Sequence, residues 1–174
     1  MNILLNHYVV ITLRLIHITS GVLWVGSGIL FILFLLPAVK ASGLAGKTVM
    51  QNFGPRFGPF MGIITTSTVV SGALLYSRFF IGQGISWIWS TGAGIGFTVG
   101  GIAGLTSYFI GEKIFGPTQA KIGALGAEME AAGKPSAEQI EKMNSLQNFL
   151  AKAYRIDVVI LAIAVAAMAV ARYL

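Results

Sequence analysis

The stretch LIHITSGVLWVGSGILFILFLL, residues 15–36, decides the fold because it holds no Asp, Glu, Lys or Arg. A helix needs about 20 predominantly apolar residues to cross the hydrocarbon core of a bilayer. Three further apolar stretches lie at about residues 60–81, 89–111 and 156–171. The sequence therefore predicts an all-α integral membrane four-helix bundle, with residues 1–174 forming a single transmembrane domain.

The composition excludes several other classes of protein. Of the 174 residues, 55% are hydrophobic and only 10% are charged, whereas an ordinary soluble domain has about 25% charged residues. A soluble monomer or a disordered chain is therefore excluded. The absence of cysteine also excludes a secreted disulfide scaffold.

The Lys and Arg residues orient the predicted bundle. Nine of them lie in two loops, at positions 40, 47 and 56 and at positions 113, 121, 134, 142, 152 and 155. Because cytoplasmic loops are enriched in Lys and Arg, we expect loops 37–59 and 112–155 in the cytoplasm and both termini in the periplasm. The expected location is the inner membrane. The net charge of +6 fits contact with anionic headgroups of the lipid bilayer, and no nucleic-acid-binding motif is present.

The long second loop has the pattern of two helices. Apolar residues recur at helical spacing at positions 122, 125 and 129 and again at positions 140, 143, 146 and 150. Gly133-Lys134-Pro135 predicts a turn between them, and Ser136 with Gln139 predicts a capping box. Pro117 is expected to kink or restart the first arm. We therefore predict a cytoplasmic helical hairpin at about residues 113–154, between the third and fourth spans.

Glycine residues in the third span form a ridge. Gly96, Gly100 and Gly104 follow one another at intervals of four residues, which places them on one helix face. Such a ridge favours close helix packing, and an alternative is that it leaves space for a flat ligand. The Ser and Thr residues at positions 65–68 and 71 likewise favour helix packing or, alternatively, line a polar cavity.

Few residues can carry chemistry. The chain lacks a Cys nucleophile, an HExxH motif and a P-loop, and its two histidines are His7 and His17. At 100° per residue, His17 and Trp24 share a broad face of the first helix with Arg14. In one interpretation Arg14 reaches the outer headgroups and His17 bonds a backbone carbonyl or a hydroxyl. In the other, His17 is an axial ligand of haem iron and Arg14 neutralises a propionate. A metal or quinone site is a third possibility.

Other residues extend the haem hypothesis. Arg14, Arg78 and Arg172 are expected near the outer interface, either as propionate partners or as independent lipid anchors. Met168 lies about one turn from Arg172 and is a candidate sixth ligand, with a core thioether as the alternative. His7 and His17 are about 15 Å apart along one helix, so they cannot both ligate one haem within a protomer.

A resemblance rests on several of these segments. LRLIHITSGVLWVG at Leu13–Gly26 resembles the first helix of small bacterial membrane proteins that include the HemJ-type protoporphyrinogen oxidases and the CopD copper-resistance family. SGALLYSR at Ser71–Arg78 and FGPTQAKIGALGAEMEAAG at Phe115–Gly133 resemble a set of uncharacterised four-helix membrane proteins. So does RIDVVILAIAVAAMAVARYL at Arg155–Leu174.

The resemblance to HemJ-type proteins implies that His17 binds haem b. Those proteins also carry a functional lysine within the third span, whereas Lys113 here lies only at its cytoplasmic end. CopD-like proteins handle copper, and the soft ligands that Cu(I) prefers are scarce in this chain.

Three classes of function are weighed. The first is a haem b protein for electron transfer or redox chemistry, acting alone, as a homo-oligomer or within a larger membrane complex. The second is a non-catalytic accessory subunit of such a complex. A protoporphyrinogen oxidase-like or copper-handling protein is a further alternative. A transporter is the least favoured class, because no charge lies in the middle of a span. Whether the protein is an enzyme stays open.

Overall fold

The computed structural model describes residues 4 and 6–174. Within this part of the chain, all regular elements are helices. The α-helices are α1 (His7–Leu30), α2 (Leu36–Ala41), α3 (Gly43–Gln83), α4 (Trp87–Ser90), α5 (Gly92–Ile110), α6 (Gly116–Ala131) and α7 (Ala137–Val170). Two π-helical turns, Phe31–Leu35 and Gly111–Phe115, join α1 to α2 and α5 to α6, and a 3-10 turn, Ala171–Tyr173, follows α7.

Four continuous helical segments are long and apolar enough to cross a membrane. They cover His7–Ala41, Ala45–Gln83, Gly92–Ala131 and Ala137–Tyr173, and they have 35 to 40 residues each. A bilayer requires only about 20 residues, so each segment can extend beyond it. The prediction of an all-helical chain with four such helices is confirmed.

Two helices have bounds that differ from those of the predicted spans and loops. Residues 37–59 were expected to form a loop, but within them only a turn at Ser42 separates α2 from α3. The third long helix begins at Gly92, because Thr91 is extended (φ −133°, ψ 144°) and its side chain accepts a hydrogen bond from the Gly94 N–H. Residues 87–90, of which the last two were placed in the third span, form the separate helix α4.

The turn, proline and capping residues around α6 and the start of α7 occupy the positions that the sequence predicts for them. Gly133 has φ +70°, a backbone conformation that glycine adopts without steric cost. Ser136 and Gln139 form a reciprocal capping box at the start of α7. Pro117 lies in the first turn of α6, where its missing N–H needs no partner. These features restart the chain as two helices that pack on each other.

The helices pack chiefly in two pairs. Helix α1 packs along α3, and α5 packs along α7, with fewer contacts between the pairs. One core cluster, of Trp24, Ile64 and Leu161, joins three of these helices. A second cluster contains Phe31, Leu150 and Tyr154. The four helices therefore share two cores at different levels of the bundle.

The surface of the bundle is apolar and part of its interior is polar. Large apolar side chains such as Val22, Ile63, Ile102 and Val159 are exposed. The buried polar residues are Ser20, Thr65, Thr68, Ser71, Ser107, Thr118 and Asp157. Extended exposed apolar surface is unusual in soluble monomers and normal for helices whose solvent is lipid. The distribution supports a multi-pass membrane protein.

The glycine ridge of α5 serves close packing at two of its three positions. A Cβ built on Gly96 would lie 2.8 Å from the Cβ of Ala171. A Cβ built on Gly100 would lie 2.8 Å from Cγ of Met168. One built on Gly104 would meet nothing within 4 Å. Gly96 and Gly100 therefore allow α5 and the end of the α7 segment to approach, as the packing interpretation predicts.

Candidate functional site

His17 is held at the seam between α1 and α3. Its Nδ1 lies 2.8 Å from the backbone carbonyl oxygen of Thr68. A carbonyl can only accept a hydrogen bond, so Nδ1 must carry a hydrogen and donate it. In the neutral ring this leaves Nε2 with a free lone pair. Histidines that ligate metals are usually oriented in this way by a bond from the other ring nitrogen.

Gly72 makes room for this histidine. A Cβ built on Gly72 would lie 2.7 Å from Cε1 and 3.0 Å from Nδ1 of His17. Such distances are too short for real contacts, so any larger residue would displace the ring or the helix. Gly72 was not predicted as a site residue, although it lies one turn beyond Thr68 on the polar side of the helix.

Hydroxyl groups of α1 and α3 form hydrogen bonds around the histidine. Thr68 Oγ1 donates to Ser20 Oγ at 2.8 Å, and Ser20 Oγ donates to the carbonyl of Ile16 at 2.6 Å. Ser71 Oγ lies 3.2 Å from the same Thr68 carbonyl that binds His17. These groups satisfy one another, so the hydroxyls of α3 serve helix packing here. They also fix the position of the His17 ring.

Trp24 lies in the core. It is buried, and it packs with Ile64 of α3 and Leu161 of α7. Because α1 has few other contacts with the second helix pair, Trp24 helps to join the two pairs. A direct role at a cofactor stays a prediction.

The three arginines have separate surroundings. Arg14 is exposed on α1. The guanidinium of Arg78 lies 5.2 Å from the ring centre of Phe79, and that of Arg172 lies 5.6 Å from the ring centre of Tyr173. Within the described part of the chain, the one ion pair is Lys47 with Glu130. In the described part of the chain no contact brings the three arginines together, and their role as propionate partners stays a prediction.

The side chain of Met168 packs against α5, whereas His17 lies on α1. Its side chain fills the notch at Gly100, where a built Cβ would lie 3.2 Å from the sulfur. His17 packs on Gly72 of α3. The two side chains are thus held by different helix pairs. This packing supports the core-thioether interpretation, and ligation by Met168 stays a prediction.

A multi-residue metal centre finds no support in the described residues. They contain no group of three or more His, Cys, Asp or Glu side chains that could hold a metal ion. Haem differs because the porphyrin supplies four ligands, so the chain needs to supply only one or two. A single well-oriented histidine fits that requirement.

Asp157 is a buried acidic residue that was not predicted as part of a site. Asp157 of α7 is only 4% exposed, and Ser107 of α5 is 2% exposed. Among the described residues, Asp157 Oδ1 and Ser107 Oγ are the buried side-chain polar atoms that have no hydrogen-bond partner. Its burial could have been suspected from its position, since Asp157 lies between Tyr154 and Leu161 at helical spacing and so on the same helix face.

Comparison of the chain with protein-family models, curated proteins and solved structures finds no match.

Proposed function

We propose that this chain is a haem b-binding protein of the bacterial inner membrane, with a role in electron transfer or redox chemistry. The observation that carries the proposal is the bond from His17 Nδ1 to the carbonyl of Thr68, 2.8 Å long. It selects the tautomer in which Nε2 is free to bind iron. The apolar exterior of the bundle supports the membrane location.

Each candidate residue would have a separate role in binding haem. His17 would hold the iron through Nε2, and Thr68 and Gly72 would fix the plane and position of its ring. Arg14, Arg78 and Arg172 are the candidates for the propionates, since charge-assisted hydrogen bonds are the strong ones. When bound, haem supplies reversible one-electron chemistry. Met168 or a group of a partner chain would be the candidate for a second ligand.

The proposed orientation gains support from one ion pair. Lys47 Nζ lies 2.9 Å from Glu130 Oε2, which joins the start of α3 to the end of α6. The two Lys- and Arg-rich segments therefore lie at the same end of the bundle. Under the positive-inside rule that end is cytoplasmic, as is the helical hairpin built from α6 and the start of α7, and both termini are periplasmic. The N-terminal residues 1–3 and 5 lie outside the described part of the chain.

A second candidate is a non-catalytic subunit of a membrane complex. Gly54, Gly58 and Gly62 follow one another at intervals of four residues on α3. A Cβ built on any of them would meet nothing within 4 Å. Small residues on one face allow another helix to approach closely. This open face favours a partner helix, either from a second copy or from a larger complex.

Two further functions are less favoured. For a protoporphyrinogen oxidase-like reaction, the chain lacks a lysine within α5 (Gly92–Ile110), and Lys113 is exposed in the π-helical turn that follows α5. Copper handling would need soft ligands, and the chain has no Cys.

The test compares two histidine variants of the detergent-purified protein. We expect His17→Ala to lose bound haem and His7→Ala to keep it, because His7 is exposed about 15 Å away along the helix. Circular dichroism and thermal unfolding serve as the folding control. Equal haem content in the two folded variants would refute the assignment of His17.

A further inference from the structure

Asp157 occupies an unusual place for a charged residue. It is the only aspartate of the chain, and it lies on α7 in the fourth apolar segment. Tyr154 and Leu161, one turn to either side, are both buried. Asp157 therefore belongs to the stripe of α7 that faces the interior of the bundle. Acidic groups inside a membrane bundle are costly unless they are paired or neutral.

The neighbour of this carboxyl group across the helix pair is Ser107. The Ser107 hydroxyl lies beside the carboxyl of Asp157, and both residues are more than nine-tenths buried. Asp157 Oδ1 and Ser107 Oγ nevertheless have no hydrogen-bond partner among the described residues. An ionised carboxylate can only accept hydrogen bonds, whereas a protonated one also donates. The Ser107 hydroxyl can donate to an ionised carboxylate, but that bond leaves the buried charge of Asp157 uncompensated. A proton on Asp157 removes the charge and gives the pair a second donor.

Among the described residues, no cation is placed to neutralise an ionised Asp157. The elements packed against α7 are α5, α6, α1, α3 and the turns Phe31–Leu35, Gly111–Phe115 and Ala171–Tyr173. In α3, Lys47 and Arg56 are exposed, the Tyr76 hydroxyl is hydrogen-bonded to Thr98, and the guanidinium of Arg78 lies over the ring of Phe79. The titratable side chain of α5 is Tyr108. In α1, the ring of His17 is hydrogen-bonded to the backbone carbonyl of Thr68. The charged residues that the other elements and α7 contribute are all exposed: Arg14, Glu112, Lys113, Lys121, Glu128, Glu130, Glu138, Glu141, Lys142, Lys152, Arg155 and Arg172. The remaining titratable groups of these elements, His7, Tyr8 and Tyr173, are also exposed.

We propose that Asp157 and Ser107 form a proton-binding site in the interior of the bundle. A hydronium ion of the aqueous phase gives up a proton and becomes water, and the proton forms an O–H bond with one oxygen of the Asp157 carboxylate. The resulting acid donates a hydrogen bond to Ser107 Oγ, and the carboxyl group becomes neutral. The site needs no haem, so it stands or falls separately from the proposed function.

A polar pair lies between this site and the hairpin. Tyr154, one turn from Asp157 on the side of the hairpin, accepts a hydrogen bond from Gln119 Nε2 of α6 at 2.9 Å. Because the Tyr154 oxygen is the acceptor in this bond, its own O–H remains available to donate. Gln119 is only partly buried. These two polar side chains mark the hairpin end of the bundle as the side from which protons would reach Asp157, past Gln119 and Tyr154.

The first test needs no mutation, because Asp157 is the only aspartate. Protein labelled with carboxyl-¹³C aspartate is reconstituted in lipid, and carboxyl signals are followed by infrared and NMR spectroscopy across the pH range. We expect the carbonyl stretch and chemical shift of a protonated acid at neutral pH, with ionisation only in alkaline buffer. A carboxylate signal throughout the neutral range would overturn the proposal.

Variants then test the site and the route. Asp157→Asn mimics the neutral acid, so we expect it to unfold at the same temperature as the parent or higher, as should Glu141→Gln, a control on the exposed part of α7. Tyr154→Phe should slow hydrogen–deuterium exchange of the labelled acid at least tenfold, and Tyr173→Phe, at an exposed position, should not. A marked destabilisation by Asp157→Asn alone would indicate an ionised, paired carboxylate and overturn the site. Unchanged exchange in Tyr154→Phe would overturn the route.

Discussion

The imidazole of His17 lies directly against the backbone of Gly72, so closely that a methyl group on Gly72 would come within 2.7 Å of Cε1. The same ring bonds the Thr68 carbonyl at 2.8 Å. One residue without a side chain and one backbone acceptor, a single turn apart on α3, therefore determine where this histidine lies. The candidate ligand depends on the packing of α1 against α3.

Gly72→Ala should disturb the histidine. Alanine favours a helix over glycine by about 1 kcal/mol, but the clash with the ring should outweigh that gain, as overpacking typically costs about 1–3 kcal/mol. We expect lower haem content and a lower unfolding temperature. Gly62→Ala on the same helix is the matched control, because a Cβ there meets nothing within 4 Å. Similar behaviour of the two variants would contradict the role of Gly72.

Alanine substitutions along the glycine ridge of α5 should differ in their effect on the free energy of unfolding. Gly96→Ala meets Cβ and Cα of Ala171 at 2.8 and 3.0 Å, and a backbone cannot move away as easily as a flexible side chain. We expect a loss of about 1–3 kcal/mol in the free energy of unfolding. Gly104→Ala should be neutral or stabilising, since the site is open. Denaturant unfolding in detergent measures both variants, and an equal loss in the two would disprove the packing account.

Met168→Leu should leave the spectrum of bound haem unchanged. The sulfur of Met168 lies in the notch at Gly100, and leucine is of similar volume, so the packing should survive at a cost below about 1.5 kcal/mol. Redox titration of the parent and the variant provides the measurement. A lower midpoint potential together with a changed reduced spectrum would instead identify Met168 as the sixth ligand.

The C-terminus should lie in the periplasm. Nine Lys and Arg residues lie at one end of the predicted bundle and three at the other, and this asymmetry sets the orientation. A C-terminal alkaline phosphatase fusion should be active, and a fusion within residues 133–135 should be inactive. The opposite pattern would reverse the proposed topology.

The helices and their local boundaries around the hairpin could be predicted because their signals are local. Ser136 with Gln139, Gly133 and Pro117 each act on their own backbone. The helix through residues 43–59 was missed because Pro55 and Pro59 are usual helix breakers, yet α3 continues through both. The π-helical turns at Phe31–Leu35 and Gly111–Phe115 follow from no pattern that we identified.

The candidate site was only partly predictable for a different reason. The composition of α1 singles out His17, but its partners Thr68 and Gly72 lie more than 50 residues away, and the pairing of helices is a property of the fold. Nothing in the hydropathy pattern marks Asp157 as buried, since it stands at the edge of the fourth apolar stretch, two residues after Arg155. Its burial depends on the docking of α5 against α7, which a hydropathy pattern does not contain.

The most direct test of the central claim is an absorption spectrum of the protein, purified in mild detergent from haem-replete cells, before and after reduction with dithionite. We predict a Soret band and, on reduction, a sharp α-band of b-type haem. A colourless protein that is folded by circular dichroism would contradict the haem assignment and leave the accessory subunit as the better account.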